Sequence, residues 1–432
     1  MRYIFDAQRA LCQSAMPEMD AAITRAGGIL LGHDDSHYAG RKAACRNTAM
    51  RARRKLVMMF AGGGLTHASG GVGTFIRYLR DEWANKPGTP EVRVVDTRGP
   101  GGKASMALHF FKAIGLLLCW GCIGRIDLMH IHLAAYGSAL RKGVLILIGD
   151  ILGIPVVVHM HGSNFYKFYA DLPGPCQKAL RFILNRARYV VVLGDDWRQF
   201  LISSIGIEPD KIAIIVNGVP GPGDIDRSQA AHRASCRIVF LGQIGERKGV
   251  PDLLAAFQTP RLLARSWTAT VAGDGEVDEF RAAIAEAGLQ DRVLVPGWVG
   301  REAASDLLRE ADIFVLPSHF EAMPIAILEA MAHGVAVIAT PVGAIPEFLT
   351  DGQTAVLVPP GAPDQLADAI VRLIDDGDQR RRLGAAGNQV FTEKFDIRVA
   401  ADRILALYGS AVRPARPVKS AGGGPGRIAA AE

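Results

Sequence analysis

Apolar runs of strand length recur along this chain, and helical stretches separate them. The first opens regular structure at 55–62, and 92–96, 128–132, 156–161, 189–193 and 211–216 follow. A second series repeats the plan at 237–241, 267–273, 293–296, 313–317, 335–340 and 355–358. Strands alternating with helices in this way predict an α/β protein with two similar, doubly wound Rossmann-like halves. The segment 217–226 carries turn residues without periodicity, which predicts a linker. The expected organisation is an extension over 1–54, a first domain over 55–220, a second over 221–408, and a tail over 413–432. The tail is rich in Ala, Gly, Pro and Arg and is expected to be disordered.

Composition agrees with two folded domains. A chain of 432 residues exceeds one compact core, and 49% hydrophobic with 21% charged residues is ordinary for a globular protein. The net charge of +6 is modest, with one basic run at Arg51, Arg53, Arg54 and Lys55. No aromatics interleave there, which argues against nucleic acid and leaves a solvated segment or contact with an anionic membrane. Six cysteines are too few for a disulfide framework and fit a reducing compartment. Cys119 and Cys122 form a CxxC with His130 and His132 nearby, but they sit in an apolar run, so they read as buried core thiols rather than a zinc site.

Asp6, Arg9, Glu18 and Asp20 interrupt any secretory signal, so a cytoplasmic protein is expected; Met50 is an alternative start. The apolar stretches 113–123 and 144–158 are too short, or broken by Asp150, Gly153 and Pro155, to span a bilayer. Membrane contact is therefore expected to be peripheral, on the inner face of the cytoplasmic membrane.

The clearest chemistry lies over 313–329: a buried strand, a short loop carrying Glu321, and a helix expected to open at Pro324 and to carry Glu329 in an apolar run. A helix amino terminus suits a phosphate, and carboxylates suit sugar or ribose hydroxyls. A second anion loop follows the strand 237–241, with Gln243, Arg247, Lys248 and several glycines, although its spacing is not that of a P-loop. The glycine loop over 62–73 misses the dinucleotide fingerprint at His67 and Ile76, which disfavours NAD but allows close backbone approach at Gly71 and Gly73. His161 ends the strand 156–161 where the cleft is expected, and His159 shares its side-chain parity. Asp224 and Asp226 imitate a cation-holding DxD, but they fall in the linker and not after a buried strand, so no metal is expected.

Together these residues resemble the family-4 retaining glycosyltransferases, whose GT-B architecture sets two Rossmann-like domains face to face. The resemblance covers about residues 55–408, and its most specific element is E-x7-E, met by Glu321 and Glu329 with Pro324 between them. It implies that Glu321 contacts the donor sugar, that Glu329 binds the ribose, and that Lys248 grips the diphosphate. Where the family places an arginine this chain has Gln243, and Arg247 is the available substitute. The glycine loop corresponds to Gly70, Gly71 and Gly73, the cleft histidine to His161, the hinge to Asn217, Gly218 and Val219, and a third donor loop to Gly343. Trp298 and Val299 stand where the family meets the base. The resemblance implies front-face transfer from a UDP- or GDP-linked sugar to a glycan or lipid-linked acceptor in surface polysaccharide synthesis, with no metal or cofactor. A catalytically silent sugar-nucleotide-binding module and a sugar-nucleotide epimerase are the competing expectations.

Overall fold

The computed structural model describes residues 55–62, 70–84, 86–162, 165–223 and 235–412. The extension, most of the basic run, the middle of the glycine loop, the Asp224/Asp226 pair and the tail lie outside these residues. Among the described residues, twelve strands form two six-stranded sheets. The first holds β1 (Leu56–Ala61), β2 (Glu91–Asp96), β3 (Leu128–Leu133), β4 (Val156–Met160), β5 (Tyr189–Val192) and β6 (Ile212–Ile214), in the order β2-β1-β3-β4-β5-β6. The second holds β7 (Cys236–Leu241), β8 (Trp267–Ala272), β9 (Val293–Gly297), β10 (Ile313–Leu316), β11 (Ala336–Ala339) and β12 (Val356–Leu357), in the order β12-β11-β10-β7-β8-β9.

Every pairing within the sheets is parallel. The reason is visible in the inner strands: β1, β3, β4, β10 and β11 are buried at every position. A strand apolar on both faces needs helices on both faces, which is the parallel α/β solution. In each sheet the order reverses beside its first strand, between β1 and β3 and between β7 and β10. Open α/β sheets bind ligands beyond the strand ends at such points.

Six helices matter below: α1 (Gly70–Ala84), α2 (Lys103–Cys122), α3 (Gly137–Ile151), α4 (Gly174–Asn185), α5 (Ile325–Ala332) and α6 (Ile397–Val412). The closing helix α6 leaves the second sheet and packs on α1 and β3 of the first. Tyr408 reaches His130 at 2.5 Å, and Lys86 pairs with Asp402 at 2.6 Å. The two chain crossings are tied together, since Val219 N donates to Phe395 O at 2.9 Å and Ile397 N to Val219 O at 3.0 Å. The start of the expected linker is therefore packed: Asn217 and Val219 are buried.

Three readings are corrected. Pro324 does not occupy the first helical turn; it is the cap before α5, with extended φ and ψ of −74° and 123°. Cys122 is exposed and Cys119 half-buried, so neither is a core thiol. The apolar run before Ile123 extends back to Lys103, and α2, at 20 residues, is the one helix among the described residues long and apolar enough to cross a membrane by length and composition. Its buried residues Ala113 and Leu117 pack with Met129 and Ile131, on the sheet face opposite to that of His130 and His132. The CxxC and these histidines are thus separated by the sheet.

Candidate active site

The site is assembled from the strand ends of the second half. Beyond β7 the chain passes Gly242 and Gln243 and makes one tight turn over Glu246–Lys248. Gly249 closes that turn at φ 68°, and a Cβ there would lie 1.9 Å from the carbonyl oxygen of Pro317, just past β10. Only glycine fits both the left-handed backbone and the approach. The contact presses Lys248 against the loop that carries Glu321.

Lys248 and Glu321 form an ion pair, with side chains only 13% and 7% exposed. Ser318 donates to the same carboxylate oxygen at 2.8 Å, and the Thr340 hydroxyl holds the Ser318 carbonyl at 2.5 Å. The loop behind Glu321 is pinned by Gly343, at φ 61°, where a Cβ would lie 2.2 Å from the Glu321 carbonyl oxygen. Arg247 donates to the Phe320 carbonyl at 3.3 Å, from the exposed side. Such a pair is strongly localised, because a buried charge without its partner is costly.

Glu329 lies one helical turn into α5 and faces the first half. Tyr78 of α1 donates to its Oε1 at 2.6 Å, and the Arg301 guanidinium stands 4.7 Å over the Tyr78 ring. Burial raises the Glu329 carboxyl above its ordinary range, while the Tyr78 hydrogen bond and the charges of Arg301 and Arg77 oppose that rise. Burial also raises the Tyr78 phenol far above its usual value.

Across the cleft, His161 follows β4 directly, with its backbone N–H on the Leu133 carbonyl at 2.9 Å. Its Nε2 lies 2.9 Å from His132 Nδ1. Burial pushes its imidazole down to about 3, so at neutral pH the ring is uncharged.

One cleft of about 560 Å³ is lined by Glu321, Glu329, Lys248, Gln243, Arg247, Trp298, Val299, His161 and Gly71. Gly73 is inside α1 and Gly343 behind the Glu321 loop; neither lines the cleft. Thr74 and Asp274 line it without having been singled out, Asn217, expected only at the hinge, lines it too, and Tyr78, beside it on Glu329, was missed as well. Asp274 follows β8 as Gln243 follows β7, so its position at a strand's carboxyl end was a usable signal. Tyr78 offered none, because its partner lies 251 residues away.

One buried cation flanks the site. Lys142 of α3 is 3% exposed; burial and then the Arg141 charge push its ammonium down to about 7, against the pull of Asp96. An unfolded lysine titrates near 10.4, so between about pH 7 and 10 the unfolded chain binds a proton that the folded chain does not. Stability therefore rises with pH across that window. Lys142→Met is expected to raise Tm most at pH 7 and progressively less toward pH 10. Thermal unfolding at the two ends checks this, and an equal gain at both would contradict it.

The fold is of the GT-B class, two parallel α/β halves with an acid-and-lysine cleft between them. The model for Glycosyltransferase Family 4 matches residues 69–220, and that for Glycosyl transferases group 1 matches 235–376. The chain belongs to these glycosyltransferases. It is 26% identical to the alpha-D-kanosaminyltransferase of Streptomyces kanamyceticus, over 65% of this chain and 76% of that protein. It is 31% identical to the alpha-maltose-1-phosphate synthase of Mycolicibacterium smegmatis, over 53% and 64% respectively. Among solved structures it superposes on Anabaena HepE, crystallised with UDP and glucose, with TM-score 0.64 and 19% identity, covering 83% of this chain and all of that one.

Proposed function

We propose that this glycosyltransferase takes a sugar from a nucleoside diphosphate and passes it, with retention of anomeric configuration, to a glycan or lipid-linked acceptor in surface polysaccharide synthesis. The observation that carries the reading is the Lys248–Glu321 pair at the mouth of α5, with Glu329 one turn further on and His161 opposite. In this reading Lys248 exchanges Glu321 for the diphosphate, Arg247 adds the second positive charge that Gln243 lacks, Glu329 takes the ribose from Tyr78, and Glu321 orients the sugar. The bond from the anomeric carbon to the diphosphate breaks while the acceptor oxygen bonds the same face, and the acceptor proton passes to the departing phosphate. Fixed charges aimed at the leaving group lower the barrier without reorganising, and no metal is assigned to the step.

Screening UDP- and GDP-sugars for protection against thermal unfolding, then assaying the best with lipid extracts, tests the donor and acceptor classes. The anomeric configuration of the product, read by NMR, tests retention, and inversion would sink that part. Gln243 in place of arginine favours one rival, a silent sugar-nucleotide-binding module. It predicts donor protection with no transfer product.

Trp298 is 51% exposed at the cleft, a suitable platform for a base. Base stacking on an aromatic contributes about 1–3 kcal/mol, so Trp298→Ala is expected to raise the donor KM by roughly 10-fold or more while kcat changes little. An unchanged KM would remove the tryptophan from the base site.

For the acceptor side we assign the cytoplasmic, membrane-facing surface to α2, α3 and α4. They are packed side by side and expose Leu108, Phe111, Leu140, Ile151 and Phe182, with Lys103, Lys112 and Lys178 exposed on the same helices. Apolar contacts with a basic fringe suit a peripheral helix face on anionic lipid. Co-sedimentation with anionic vesicles at low salt is expected, and Phe111→Glu should weaken it. Failure to sediment would remove the membrane and leave the transferase.

A further inference from the structure

The first sheet holds four histidines on one face. His130 and His132 alternate along β3, and His159 on the neighbouring β4 is followed at the same parity by His161 just past the strand's end; the register pairs His132 with His159. Their rings form a stack with centroids 4.1–5.4 Å apart between adjacent members. His130, His132 and His159 are at most 1% exposed. Four ring nitrogens have no hydrogen-bond partner among the described residues: His130 Nε2, His132 Nε2, and both Nδ1 and Nε2 of His159. Buried polar atoms are normally satisfied, so a cluster of them signals a group that belongs there.

We propose that His130, His132 and His159 form a buried site for a divalent transition metal of the imidazole-preferring class, with zinc as the reference ion. Each offers one nitrogen, and the three lie within 4.8 Å of one another. At a metal–nitrogen distance of about 2.0–2.1 Å, tetrahedral ligands sit roughly 3.4 Å apart, so loading requires the widest pair to close by a little over 1 Å and the near-parallel rings to turn until their in-plane lone pairs meet.

The stronger argument is which nitrogens are free. A metal-bound histidine has its other ring nitrogen held by a partner that fixes ring and tautomer. His130 has Nδ1 on the Tyr408 hydroxyl at 2.5 Å and Nε2 open; His132 has Nδ1 on His161 at 2.9 Å and Nε2 open. Phe75 packs edge-on against His159 and closes the apolar side. The partners come from distant parts of the chain, since Tyr408 lies on α6, so the ion would also tie the closing helix to the first sheet. With a metal on His132 Nε2, its Nδ1 carries the proton and donates to His161 Nε2. That leaves His161 with its proton on Nδ1. The site adjoins the Lys248–Glu321 cleft through His161, which lines it, but does not rest on the transfer reaction.

The full chain, refolded in the presence of Zn2+ and gel-filtered, is expected to keep one equivalent of zinc by elemental analysis and to gain thermal stability. Refolded with Co2+, it should show the visible absorption of tetrahedral cobalt. His159→Phe fills the space, retains every other histidine of the chain and should lose both the equivalent and the stabilisation. Tyr408→Phe removes only the partner of His130 and should weaken zinc binding by about 10-fold or more, which keeps the test decisive if the first variant does not fold. No retained metal in the wild type, or uptake that neither variant changes, would overturn the site.

Discussion

Lys248→Ala is expected to lower kcat by hundreds-fold while the protein still folds. The ammonium is enclosed, held on Glu321 and aimed at the same cleft as the α5 amino terminus. Removing one preorganised charged contact to a departing oxyanion costs about 3–4 kcal/mol, equivalent to a factor of several hundred in rate. The substitution also leaves Glu321 without its cation, a cost that falls on stability and on sugar orientation together. Lys248→Arg separates the two, since it restores charge to Glu321 but not the geometry of a point charge. Near wild-type turnover in Lys248→Ala would remove this residue from the leaving-group site.

The second large effect is expected one residue later and is conformational. Gly249→Ala places a Cβ 1.9 Å from the Pro317 carbonyl oxygen at a φ of 68°. The left-handed backbone costs a non-glycine residue about 1–2 kcal/mol, and forced overpacking adds about 1–3 kcal/mol. A loss on the order of 3 kcal/mol is expected, measured as a lower urea midpoint, together with reduced turnover as Lys248 is pushed off Glu321. Gly288 is the control: its φ is 67°, but nothing lies within 4 Å of its Cβ position, so Gly288→Ala should carry the backbone cost alone. Equal losses at the two positions would show that the Pro317 contact is relieved without consequence.

Much of this architecture was legible because parallel strands are apolar on both faces, so β1, β3, β4, β10 and β11 announce themselves as short unbroken runs. Lys248, Glu321 and Glu329 were legible because each follows a strand end or sits alone in an apolar helix. Helix α6 was not, since nothing local in its sequence says that it crosses back to α1 and β3. Nor was the hydrogen bond from Tyr78 to Glu329, which depends on how the two halves face each other. The parity of His159 and His161 was readable, but their stacking with His130 and His132 needed the β3–β4 register. Pro324 shifted by one residue because the same φ serves a cap and a first turn.

The central claim concerns where the nucleoside diphosphate lies, and a structure determined with the bound donor nucleotide measures it directly. The account predicts a phosphate oxygen within hydrogen-bond distance of Lys248 Nζ and a ribose hydroxyl on Glu329, with Tyr78 displaced from that carboxylate. A nucleotide bound elsewhere, with Tyr78 still on Glu329 and Lys248 still on Glu321, would contradict it.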